Sequence, residues 1–362
     1  MKKYILTVLL LLTVCLLPSC SDDVKYRIDP SLNPVTTIEP VDPVTDYHNS
    51  RSGGLVVSDS ESDYFQYKEE NSVVLYRRDR QNGTLTVLAE RPWKEFAADV
   101  MFTNLCLKDG YLYFLLFDGN EGIRNVWCRV PVDGSAAYEP VHEFDWHFLS
   151  MFQGSGQVYV NLVTDDNRSS LCTFNVETGE CTPVSLFDNI VTPMFTVGGY
   201  FYYETVRSTG SENIICLYRS PLDGSASELV WDHSESKGIL AAVSGGKLYV
   251  YSFLTRSFYE AETDGSNAHV LLEDFPVKGL NVHNGVFYFL AGDASFTDGL
   301  YRYMPGDKFA TLLYDAYYDT FQGPFITGDG NVWFTSAVNI ISSFRFGNPA
   351  YVDRNAVYHA VK

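Results

Sequence analysis

The chain has 362 residues, 45 acidic against 26 basic side chains, a formal charge of −19 and an aromatic content of 15%. A phosphate backbone is repelled by so acidic a surface, which excludes nucleic acid as a partner and favours neutral or cationic ones.

The chain begins MKKYILTVLLLLTVCLLPSC, two lysines followed by an apolar run too short for a stable membrane span. Such a segment is a secretory signal, set apart from the folded protein. Its end, Leu17-Pro18-Ser19-Cys20, resembles the bacterial lipobox. That resemblance implies cleavage before Cys20 and lipidation of its thiol. Ser21-Asp22-Asp23 is similar to the acidic export signal of Bacteroidetes surface lipoproteins. The chain is therefore expected to be an outer-membrane lipoprotein held by the lipid on Cys20 and exposed at the cell surface, with a periplasm-facing position as the alternative. Residues 20–50 read as a Pro-punctuated, semi-rigid tether, through Pro30, Pro34, Pro40 and Pro43. VTTIEP at 35–40 offers either more tether or an edge strand. Residues 51–362 are the folded domain.

Within that domain a motif Gly-x-apolar-aromatic recurs: GYLY at Gly110, GQVY at Gly156, GYFY at Gly199, GKLY at Gly246, GVFY at Gly285 and GNVW at Gly330. The intervals are 46, 43, 47, 39 and 45 residues, and a degenerate copy, SDYF, begins at Ser62. About twenty residues after six of these seven aromatic motifs comes a turn: Asn82-Gly83, Asp133-Gly134, Thr178-Gly179, Asp223-Gly224, Asp264-Gly265 and Pro305-Gly306. Asn-Gly and Asp-Gly tolerate the positive φ of tight hairpins. Each period then holds about four strands, in the fourth copy VTPMFTV, YFYYETV, ENIICLYR and ASELVWD. No segment after the signal shows the apolar spacing of an amphipathic helix. Periods of this length with four strands read as β-propeller blades. The expected fold is all-β, a seven-bladed β-propeller of four-stranded antiparallel blades, with six or eight blades as alternatives. The YR-like pair followed by Asp-Gly-Ser, as in LYRSPLDGS from Leu217, resembles the YWTD-type propellers of lipoprotein receptors and their bacterial relatives. That likeness implies the fold and transfers no catalytic residue.

In such a ring the repeated turns lie on the face opposite the usual binding mouth, so they are read as structural joints rather than ligand sites. One aspartate per turn does not supply the converging oxygens that calcium needs. The entry loops are the candidate binding face: RPWKEF, FDWHF, WDHSES and DAYYDTF bring Trp93, Trp146, His147, Trp231, Asp232, His233, Tyr317 and Tyr318 toward one mouth. Flat aromatic faces beside carboxylates suit sugar rings, aromatic groups or peptides. The competing expectation is that these aromatics wedge between blades, as tryptophans mostly do. HEFDWH, His142 to His147, lacks the HExxH spacing and the helix of a zinc protease. No metal site, cofactor or catalytic residue is assigned. Nucleophile elbows, phosphate-cradling glycine loops and the sialidase box are absent from the sequence. Cys172 and Cys181 flank the turn NVETG and either pair across a hairpin or remain buried thiols.

The functional expectation is a non-enzymatic binding module for a glycan or protein ligand at the outer surface. The alternatives are a glycan-degrading hydrolase or lyase, with Asp145 and Asp232 as its first candidate acids, and an envelope assembly scaffold.

Overall fold

In the computed structural model, residues 41–352 are described, except 69–70, 93–101, 119–123, 146, 155–156, 210–211, 236–238, 293–296, 329, 331 and 338–347. The signal, Cys20 and most of the tether, VTTIEP included, lie outside the described residues.

Blade one is β1 (Val56–Ser58), β2 (Ser62–Lys68), β3 (Ser72–Asp79) and β4 (Leu85–Pro92). Blade two is β5 (Phe102–Lys108), β6 (Tyr111–Asp118), β7 (Arg124–Pro131) and β8 (Glu139–Phe144). Blade three comprises β9 (Phe148–Gly154), β10 (Gln157–Val163), β11 (Ser169–Phe174) and β12 (Cys181–Phe187). Blade four comprises β13 (Val191–Val197), β14 (Tyr200–Thr209), β15 (Glu212–Pro221) and β16 (Glu228–Glu235). Blade five is β17 (Ile239–Ser244), β18 (Lys247–Ser252), β19 (Ser257–Glu262) and β20 (His269–Leu272). All five are antiparallel sheets of four consecutive strands.

The sixth sheet has six strands: β21 (Val277–His283), β22 (Val286–Ala291), β23 (Thr297–Tyr303), β24 (Thr311–Ile326), β25 (Val332–Ala337) and β26 (Asn348–Val352). The protein is thus a propeller of six blades, correcting the expected seven. The seventh repeat forms β25 but no sheet of its own. Its link to the sixth, DAYYDTFQGPF, contains one turn pair, Gly323-Pro324, and β24 absorbs it as a register slip between Gln322 and Phe325 and runs through. The first part of β24 pairs with β23 and its last part with β25.

The repeated Asp-Gly-Ser turns are joints. Asp133, Asp223 and Asp264 each accept, through Oδ1, the N–H of the serine two residues on, at 2.9 Å in every case. The intervening glycines take φ of 71°, 71° and 82°, a region open to glycine at no steric cost. Each turn leans on the outermost strand of the preceding blade. A Cβ on Gly134 would meet Thr86, one on Gly224 would meet Ser185, and one on Gly265 would sit 1.8 Å from the Val230 carbonyl oxygen. The motif recurs because both the turn and the blade contact demand it.

The ring contains a feature that the sequence reading does not foresee. Residues Pro43–Arg51 form a helix, α1, which packs against the innermost strands β9, β13, β17 and β21 and against β24. It occupies the central channel. Its start is set by Asp42, whose Oδ1 accepts from the N–H of Val44 and Thr45, both at 3.0 Å, and by Pro43 in the first turn. Its first turn lies toward the end of the channel at which the inner strands finish: Pro43 approaches Gly154 and Thr45 Oγ1 donates to Val282 O. Its last turn faces the end at which the inner strands begin, called here the entry mouth.

The helix is fastened by polar contacts. Asn49 Nδ2 donates to Ile326 O at 2.8 Å, and Asn49 Oδ1 accepts from Ile326 N at 2.8 Å and Asn281 Nδ2 at 2.9 Å. His48 Nε2 donates to Ala241 O at 3.1 Å, and Ser50 Oγ accepts from Gln153 N at 3.1 Å. Val44 and Tyr47 join the largest core cluster, Tyr47 meeting Phe152 and Phe195 edge-on.

Candidate active site at the entry mouth

A cleft of about 310 Å³ opens at the entry mouth, lined on one side by the last turn of α1 and the residues after it, and on the other by β21 and β24. Its polar lining side chains are His48, Arg51, Ser52 and Lys278; Leu55, Leu240, Leu280 and Leu290 supply apolar surface.

Backbone irregularities shape this wall. Pairing of β21 with β22 slips between Val277 and Gly279, leaving Lys278 as the extra residue of a β-bulge, a device that re-aims a side chain. A Cβ on Gly279 would lie 2.3 Å from Gly323 O, so only glycine permits this approach of β21 to β24. A second slip follows in β24 between Gln322 and Phe325. On the α1 side, Gly53 and Gly54 take φ of 101° and 57°. Their carbonyls accept from Asn104 N at 2.8 Å and Leu105 N at 2.9 Å, at another bulge, in β5. The chain leaving α1 is therefore pinned to blade two.

Burial sets the charges of α1. His48 is 1% exposed, and burial lowers its pKa to about 3, with nearby Arg51 adding to the effect. It lines the cleft as a neutral imidazole. Arg51 is exposed, and its Nη1 donates to Tyr47 Oη at 2.9 Å. Glu204 accepts from Ile239 N at 3.1 Å, and its burial raises the carboxyl pKa.

One residue of α1 gives stability a pH dependence. Burial, with Asp42 nearby, raises Asp46 to about 7. Between the ordinary carboxylate range and that value the native state keeps a proton that the unfolded state has lost. Stability therefore falls as pH rises through this window. Asp46→Asn is expected to match the wild type near pH 4 and exceed it at pH 8 by roughly 2–3 kcal/mol. Urea unfolding at both pH values is the measurement. Equal stabilities at pH 8 would remove Asp46 as the titrating group.

The sequence-predicted mouth residues do not form one cluster among the described residues. Trp93 and Trp146 lie outside those residues. His233 sits in β16, and Tyr317 and Tyr318 sit in β24; their side chains are outside the description. Trp231 is 3% exposed, in the core cluster, with its ring edge-on to Tyr259 at 5.3 Å. Asp232 binds Arg207 and accepts from Cys216 Sγ at 3.8 Å. His147 lies between Asp145 Oδ2 at 3.0 Å and Asp165 Oδ1 at 3.2 Å. These hydrogen bonds raise the His147 pKa, that to Asp145 first. Asp145 and Asp232, the two candidate acids, are thus each engaged by a neighbouring side chain. Among the described residues no group of three His, Cys, Asp or Glu side chains is arranged to hold a metal. Cys172 and Cys181 are free thiols, Cys172 opposite Pro183 and Cys181 opposite Phe174.

Six antiparallel blades around a channel, with a cleft at the entry mouth, define the class: a β-propeller protein. No family model and no curated protein matches the chain. Solved structures match by fold. The β-propeller domain of the Trilobed protease from Pyrococcus furiosus, described as having an open velcro topology, is 11% identical with a TM-score of 0.53. That match covers 78% of this chain and 90% of that one. A prolyl endopeptidase matches at 11% identity and a TM-score of 0.56 over 81% of this chain, which spans only 48% of the endopeptidase. An oligogalacturonate lyase in complex with manganese matches at 14% identity and a TM-score of 0.53, covering 79% of this chain and 84% of the lyase. At these identities the likeness establishes the fold and carries over no residue. The neighbours are peptidase propellers and a lyase; none is a non-enzymatic binding module, and that expectation is withdrawn.

Proposed function

We propose that this chain is a glycan-degrading enzyme of the hydrolase or lyase class, working in the entry-mouth cleft and held at the cell envelope by a lipid on Cys20. The observation that carries the reading is the cleft itself: a concave site with apolar walls and a few convergent polar groups, at the mouth where propellers bind. The lyase match, which spans most of both chains, supports the same choice. A peptidase reading gains less, because the endopeptidase match leaves about half of that protein without a counterpart in this chain. Among the described residues that line the cleft none is a carboxylate. Two-acid hydrolysis needs a pair of them flanking the scissile bond, and the cleavage products distinguish it from elimination. The secretory signal and the lipobox-like Cys20 support export and anchoring at the outer membrane, surface-exposed. The YWTD likeness of the LYRSPLDGS-type repeats remains a kinship of pattern.

Incubating the protein with a panel of neutral and uronate-containing oligosaccharides tests the reading. Both reducing ends and the ultraviolet absorbance of an unsaturated sugar end are followed. Hydrolysis yields the first signal alone, and elimination yields both. No cleavage anywhere in the panel would overturn the enzymatic reading and leave the envelope scaffold as the alternative.

A further inference from the structure

The charge of the cleft opposes that of the molecule. The chain carries a formal −19, yet among the described residues the charged side chains lining this cleft are Lys278 and Arg51, the latter also in electrostatic contact with Glu204 behind it. Both are exposed there and come from different elements, the last turn of α1 and the bulge in β21. Each is placed by a feature that an ordinary blade does not need. Arg51 rides on a helix inserted into the channel and is steadied by Tyr47, whose ring is locked edge-on between Phe152 and Phe195. Lys278 is the bulged residue of β21, beside a glycine that only a close strand approach requires. Ser52, half-buried, adds a hydroxyl on the same side as Arg51.

Two cations across a small cleft, with a neutral imidazole between apolar walls, match a carboxylate better than any neutral group. Guanidinium can hold a carboxylate in a bidentate pair, and an ammonium adds a point charge from the opposite wall. From this geometry we infer that the ligand of the cleft is a carboxylated sugar, a uronic acid residue, with its carboxylate between Arg51 and Lys278. The inference rests on the glycan-degrading reading for the word sugar; the preference for a carboxylate rests on the cleft alone.

Calorimetric titration separates the two. The probes are a galacturonic acid trimer and its neutral twin, a galactose trimer, against the wild-type protein, Arg51→Gln and Lys278→Gln. The expected result is wild-type binding of the acidic trimer at least tenfold tighter than the neutral one. Each substitution should cost ~10-fold to 100-fold, the range for a charge-assisted hydrogen bond. Thermal midpoints of both variants are read alongside, and a binding loss at an unchanged midpoint is assigned to the cleft rather than to unfolding. Equal binding of the two trimers, no binding of either, or unchanged acidic binding by Lys278→Gln would each overturn the inference. Acidic binding without any cleavage would sink the enzymatic reading and leave the carboxylate preference standing. Cleavage of neutral glycans without acidic preference would do the reverse.

Discussion

Asn49→Ala is expected to lower the unfolding free energy by roughly 2–4 kcal/mol, the range for a buried polar group whose partners are left unsatisfied. Asn49 uses one side chain to answer both the N–H and the C=O of Ile326, and its Oδ1 also accepts from Asn281 Nδ2. Asn281 in turn donates to Pro324 O at 2.9 Å. Alanine would strand the Ile326 N–H and C=O in the channel. Urea unfolding monitored by tryptophan fluorescence gives the number. Asn49→Asp offers a sharper comparison, since it keeps the acceptor and loses the Nδ2 donor, and should cost at least as much as alanine because it buries a charge. A loss below about 0.5 kcal/mol in both variants would mean that α1 is not what fastens the channel.

The second large effect is expected at Trp333. Among the described residues no strand from one end of the chain completes a sheet at the other: in every described sheet the strands are consecutive. The ring is closed by side chains instead. Trp333 of β25, 0% exposed, packs with Phe65 of β2 at 5.8 Å between ring centroids, and with Leu55, Val56 and Phe325. Arg78 lies over the indole at 5.4 Å. Trp333→Ala removes the largest buried ring at this seam and should cost about 3–5 kcal/mol. Hydrogen exchange provides a local reading: protection should fall first in β1, β2 and β25. A uniform drop across all six blades would mean that the seam opens only with global unfolding.

Much of the fold is legible in the sequence because each blade is built locally. The aromatic motif marks the second strand, and Asp-Gly-Ser marks the hairpin and the contact with the preceding blade, so every repeat announces itself. The blade number is not legible in the same way. It depends on whether β24 breaks between repeats, and the one breaker in Asp315–Phe325, Gly323-Pro324, is absorbed as a slip within the strand instead of ending it. Helix α1 escaped for a different reason. Its sequence, PVTDYHNSR, has no apolar stripe, because its surroundings in the channel are partly backbone carbonyls and N–H groups that prefer Thr45, His48 and Asn49. The signal that remained was at its start, where Asp42-Pro43 is an N-cap followed by proline at the first helical position. The cleft was half legible: an isolated Gly279 in an apolar run marks a bulge, but only the fold places Lys278 opposite Arg51. Loop position alone does not separate a mouth aromatic from a core one, and Trp231, next to a loop, belongs to the core.

The plug also determines the order in which the molecule can finish folding. A blade needs only contacts between neighbouring strands, so blades can form one by one as the chain emerges from synthesis amino terminus first. Helix α1 leaves among the earliest segments, yet its partners Val282 and Ile326 stand 237 and 277 residues away from Thr45 and Asn49. Contacts so distant in sequence carry a large loop-closure cost. This early segment must therefore wait, unsatisfied, until the last repeat arrives, and then thread the axis of a nearly completed ring.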